Sequence, residues 1–76
     1  MGKSKRVRTL IKHAKRGNPY TMYELGLCYQ LGRGVKQDLQ RAAEWMFAAA
    51  DEGYAPAVEW AKDYAFDDDA FVQGNA

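Results

Sequence analysis

The sequence predicts an all-α fold of about four helices paired as antiparallel αα-hairpins. Three observations carry that reading. Apolar residues recur at three- and four-residue spacing, and no segment alternates as a strand would. Glycine, Asn-Pro and aspartate punctuate these runs where helices end and begin. A pattern also repeats, since Ala14 and Gly17 recur 36 residues later as Ala50 and Gly53.

The first helix is expected over 4–16. Val7, Leu10, Ile11 and Ala14 fall at i, i+3, i+4 and i+7 and form one apolar stripe. Gly17 follows a basic last turn, where a residue without Cβ closes the helix at low cost. Asn18 caps the second helix, expected over 19–31, and Pro19 occupies a first turn that needs no N–H. Thr21, Leu25 and Tyr29 share one side of it, and Gly26 admits a close neighbour.

Asp38 is the N-cap of the third helix, 38–52, whose apolar arc runs over Leu39, Ala42, Ala43, Trp45, Met46, Ala49 and Ala50. An arc that wide implies packing from two sides, with Trp45 and Tyr29 in the core. Gly53 ends this helix, and Pro56 opens a fourth, 55–66, with Ala57, Trp60, Ala61 and Tyr64 as its stripe. Periodicity is lost beyond Phe66, in a flexible acidic tail over 67–76.

Between the second and third helices lies "LGRGV", Leu31 to Val35. A phosphate loop would need Gly-Lys-Ser/Thr, or a third glycine after a strand, and neither is here. The following helix also begins with the carboxylate of Asp38, where a phosphate wants bare N–H groups. The segment reads as the turn of a helical hairpin, with Gly32 and Gly34 in left-handed conformations and Val35 folding back.

Seventy-six residues make a single domain, 1–76, near the lower limit for a self-sufficient core. Net charge is +1 but unevenly placed: residues 1–16 hold seven Lys/Arg and no acid, and the rest holds four against ten Asp/Glu. Cys28 is the sole cysteine, which excludes a disulfide framework or a thiol–zinc cluster. The start has no apolar signal run and no stretch is long enough for a membrane span, so a cytoplasmic setting is expected.

From Gly17 to Gly53 the chain resembles a Sel-one-like repeat, a relative of the tetratricopeptide repeat. The residues that carry the resemblance are Leu25-Gly26, Tyr29, Gly32, Gly34-Val35, Asp38, Ala42, Trp45, Ala49-Ala50 and Gly53. Residues 1–16 then resemble the second helix of a preceding unit, and 54–66 the first helix of a following one. Ala61, Lys62 and Ala65 depart from the Leu, Gly and Tyr of the pattern. The resemblance implies a short tetratricopeptide-like solenoid fragment that binds a protein or peptide, as an adaptor or a small inhibitor, without catalysis or cofactor.

In such folds the first helix of each unit lines the concave surface. On the second helix Tyr20, Tyr23 and Leu27, with Gln30 beside them, lie opposite the Leu25–Tyr29 stripe, and are the expected partner-binding residues. The competing reading is that neighbouring helices cover this face. The alternative function is nucleic-acid binding through Lys5, Arg8, Lys12, Lys15 and Arg16, which share the face of the first helix opposite its apolar stripe. That face has no interleaved aromatics for base stacking and equally suits the solvated side of a terminal helix.

Other candidates read as structural. His13 has no carboxylate or cysteine at ligand spacing, Cys28 lies beside an apolar stripe with no nearby base, and Asp67–Asp69 lack the alternation of a calcium loop. No metal site or catalytic set is expected. With one whole repeat and two halves, apolar surface is left on the fourth helix at Val58, Trp60, Tyr64 and Phe66, and a homodimer through that helix would cover it.

Overall fold

The computed structural model describes residues 2–64. Three helices, α1 (Lys5–Lys15), α2 (Pro19–Leu31) and α3 (Leu39–Asp51), are followed by α4, over residues 55–64. There is no strand among the described residues. The predicted tail over 67–76, together with Ala65 and Phe66, lies outside them.

The starts of α2 and α3 are fixed by the expected caps, Asn18 and Asp38, and the start of α1 by Ser4. Ser4 Oγ accepts from Val7 N at 3.1 Å, Asn18 Oδ1 from Thr21 N at 3.1 Å, and Asp38 Oδ1 from Arg41 N at 3.0 Å. These contacts satisfy N–H groups that have no partner inside their own helix. Gly17, Gly32, Gly34 and Gly53 all carry positive φ. Gly34 also ties the hairpin turn to α1: its carbonyl accepts from Ser4 N at 2.7 Å. A Cβ at Gly34 would run into Ser4 Oγ and Val7 Cγ2, so the first helix is seated directly on this turn.

The helices pack as antiparallel neighbours, α1 on α2 and α2 on α3. The start of α1 meets the end of the α2–α3 turn, and the α3–α4 junction lies beside the start of α2. Val7 and Ala14 of α1, Leu25, Cys28 and Tyr29 of α2, Ala42, Met46 and Ala49 of α3 and Ala57 of α4 are buried together. The closest approach is at Gly26, where a Cβ would overlap Met46 Cγ and lie 3.1 Å from the Ala42 carbonyl oxygen. Alanines on α3 and glycine on α2 bring the two axes near enough for Leu25 to be fully enclosed.

Two expectations about the core are corrected. Leu39 is 64% exposed. It follows the N-cap directly, and a helical side chain leans toward the N-terminus, so Leu39 stands at the end of α3 where the described residues leave most of it uncovered. Trp45 is half-buried and packs against the edge of the core, while Met46 is the fully buried side chain against Gly26.

Candidate partner-binding face

Tyr20 and Tyr23, one turn apart on α2, are brought together by a residue that the wheel of α2 does not contain. The Tyr54 ring lies 5.9 Å from Tyr20, edge to face, and 5.6 Å from Tyr23, tilted. Tyr20 is 55% exposed, whereas Tyr23 and Tyr54 are half-buried. The cluster therefore has a fixed base and an open rim. Tyr54 hydroxyl is pushed above its ordinary value by desolvation, then by Tyr20, Glu24 and Tyr23 around it.

Tyr54 had a readable signal. It stands 36 residues after Asn18, the cap of α2, and its carbonyl accepts from Ala57 N and Val58 N at 3.0 Å each. It thus holds the N-cap position of α4 with a side chain that cannot cap.

Glu24 adjoins the cluster. Its Oε1 lies 3.7 Å from Arg6 Nη2 of α1. That pair was not legible, since it depends on the register between two antiparallel helices. The five cations of the alternative face, Lys5, Arg8, Lys12, Lys15 and Arg16, are all exposed along α1, and Arg8 Nη1 donates to the Lys3 carbonyl at 2.9 Å. His13 is exposed as expected. Cys28 is buried, and burial outweighs the opposing fields of Arg6 and Arg33 to push its thiol up, so it is no ready nucleophile.

Leu27 is half-buried, and Gln30 belongs to a different surface from the tyrosines. Gln30, Leu39, Ala42, Met46, Trp60 and Tyr64 line a groove of about 260 Å³ between α2, α3 and α4. Gln30 Oε1 is buried there with no hydrogen-bond partner among the described residues. Phe47 packs edge to face on Trp60 at 4.9 Å and on Tyr64 at 5.4 Å along the outer wall. Ten residues separate Tyr20 from Gln30, roughly 15 Å along the helix axis. The expected partner residues thus divide, with Tyr20 and Tyr23 in an aromatic cluster at the start of α2, Gln30 in a groove at its end, and Leu27 in neither.

Among the described residues there is no group of three or more His, Cys, Asp or Glu that could hold a metal ion. None of the described helices is long and apolar enough to cross a membrane.

Comparison with known proteins adds to this geometry. The profile of the Sel1 repeat matches residues 19–54, from the first residue of α2 to Tyr54. Over 46 residues, 60% of this chain and 10% of the relative, it is 44% identical to an uncharacterized protein of Neisseria meningitidis serogroup B. Over 47 residues, 60% of this chain and 7% of the relative, it is 38% identical to the ERAD-associated E3 ubiquitin-protein ligase component HRD3A of Arabidopsis thaliana. The chain spans a tenth or less of the length of these relatives. No solved structure matches it. Sel1 repeats in general mediate protein–protein interaction.

Proposed function

The chain belongs to the Sel1-repeat family through residues 19–54, and from that premise we propose that it is a non-catalytic protein-binding module, an adaptor or a small inhibitor. The observation that supports this most is the Tyr20–Tyr23–Tyr54 cluster, half anchored and half open. Tyrosines bury large area at low entropic cost and are enriched among the residues that dominate binding energy. One relative is by name a component of a larger assembly, which favours work upon a protein partner.

The test is a photo-crosslinking amino acid placed at position 20 and, separately, at position 12 on the basic face of α1. In extract of the native host, adducts to protein are expected from position 20 and not from position 12. Adducts from position 12 alone, or recovery of nucleic acid there, would move the function to the basic helix and overturn the proposal.

We also propose that the groove of Gln30, Trp60 and Tyr64 is covered by a second copy of the chain. Tyr64 is exposed, and the Gln30 oxygen has no donor among the described residues, so a donor from a second copy would satisfy it. In sedimentation velocity the protein is expected to be dimeric at micromolar concentration and to dissociate on dilution. Tyr64→Glu should leave it monomeric throughout. A wild-type monomer at every concentration would contradict the dimer.

A further inference from the structure

We propose that the tyrosine cluster and Glu24 together receive an arginine side chain presented by the partner. This rests on the proposed role of the Tyr20–Tyr23 face in binding protein, and names the chemistry that it selects.

Two features of the cluster fit a guanidinium. The first is the rings. Tyr54 meets Tyr20 edge to face and Tyr23 at a tilt, so neither pair stacks face on face, and Tyr20 is more than half open. An aromatic face attracts a cation, and the planar, weakly hydrated guanidinium stacks on it better than an ammonium. The second is the carboxylate. Glu24 lies one turn beyond Tyr20, and its side chain is only 27% exposed, so its pairing is less screened than that of a fully solvated acid.

The chain itself supplies a stand-in. Arg6 already brings a guanidinium to Glu24, which shows that the carboxylate accepts one. Yet it does so through one long contact of 3.7 Å, with 62% of the Arg6 side chain in solvent. A pair of that kind is worth little. A partner arginine that both stacks on tyrosine and pairs with Glu24 in the bidentate manner would displace it. Elsewhere the fold uses the same combination, with the Arg41 guanidinium 6.0 Å above the Tyr29 ring and its Nε 3.4 Å from Asp38.

Charge in the surroundings does not make the selection. Lys15 and Arg16 end α1, and Asp51 and Glu52 end α3 just before Tyr54, so these exposed charges offset one another. Glu24 is the carboxylate whose field reaches the Tyr54 hydroxyl. An apolar or aromatic partner residue would use the rings and ignore Glu24. That difference makes the two occupants separable.

The experiment titrates isotope-labelled protein with the blocked pentapeptide Gly-Ser-Arg-Ser-Gly and with its citrulline twin, which keeps shape and planarity but has no charge. Amide shifts are followed by NMR. The arginine peptide is expected to give saturable shifts at residues 20–24 and 54, with the citrulline peptide about tenfold weaker or more. Glu24→Gln should erase that difference. Arg6→Ala, which removes the competitor, should tighten arginine binding severalfold. Spectra that are otherwise unchanged establish that both variants remain folded.

Equal binding of the citrulline peptide would overturn the proposal. So would shifts confined to Asp51 and Glu52, or no saturable shift at residues 20–24 and 54 up to about 10 mM. If any of these occurs while position 20 still crosslinks to protein, the arginine reading fails and the binding face stands. If position 20 gives no adduct, the binding face fails first.

Discussion

Leu25→Ala is expected to destabilise the fold by about 2–5 kcal/mol, the range for truncating an enclosed leucine. Leu25 has no solvent exposure and lies at the centre of the buried set contributed by all four helices. Its loss leaves a void that rigid neighbours cannot fill. Leu25 precedes Gly26, where α2 and α3 are already in contact through Met46 and the Ala42 carbonyl. The helices therefore have no room to move inward and close the void, which places the cost toward the upper part of the range. A domain of this size holds roughly 4–11 kcal/mol in total. Such a variant loses close to half of that margin at the upper end of the range and all of it at the lower end. Chemical denaturation followed by circular dichroism should show the midpoint falling by at least about two fifths.

Gly26→Val tests the same interface from the opposite direction. The added Cβ would overlap Met46 Cγ and press on a backbone oxygen at 3.1 Å, and a β-branched side chain has few rotamers with which to escape. Overpacking of this kind costs about 1–3 kcal/mol or somewhat more. Valine is a better helix former than glycine by a few tenths of a kcal/mol, which offsets only part of it. The double variant with Met46→Ala should be more stable than the sum of the two single changes predicts, because the truncated side chain yields its space. Rescue should be incomplete, since the Ala42 carbonyl stays in place. Full additivity would show that Gly26 and Met46 do not meet.

Much of this fold was legible because its boundaries are written in local chemistry. Ser4, Asn18 and Asp38 cap where their side chains reach the third N–H, and the glycines stop helices where a left-handed residue is needed. Those are interactions between residues three or four apart. What was not legible depends on contacts across helices. Arg6 meets Glu24 only once the register of α1 on α2 is fixed. The apolar arc of α3 counted Leu39 as core because a wheel has no ends, whereas a real helix exposes its first turn.

The candidate site was half legible for the same reason. Tyr20 and Tyr23 were identified by their position opposite the Leu25–Tyr29 stripe, but their common neighbour Tyr54 comes from the next unit of the repeat. Gln30 shares their helix, yet faces the groove with Trp60 and Tyr64. A wheel of α2 alone cannot divide one face into two sites. That division comes from where α4 begins and which way it runs.

The division of α2 into a fold-holding stripe and a partner face is the central claim, and Tyr23→Ala tests it most directly. The variant is assayed for melting temperature and for crosslinking to protein from position 20, beside Leu25→Ala. Tyr23 gives up the ring contact with Tyr54 and, at a half-buried position, part of its packing against the core. That contact is worth about 0.5–1.5 kcal/mol. The predicted result is a melting temperature lower by about 2–12 °C, with the crosslinking yield falling by about tenfold or more. A Tyr23→Ala protein as unfolded as Leu25→Ala, or one that still crosslinks at the wild-type yield, would contradict it.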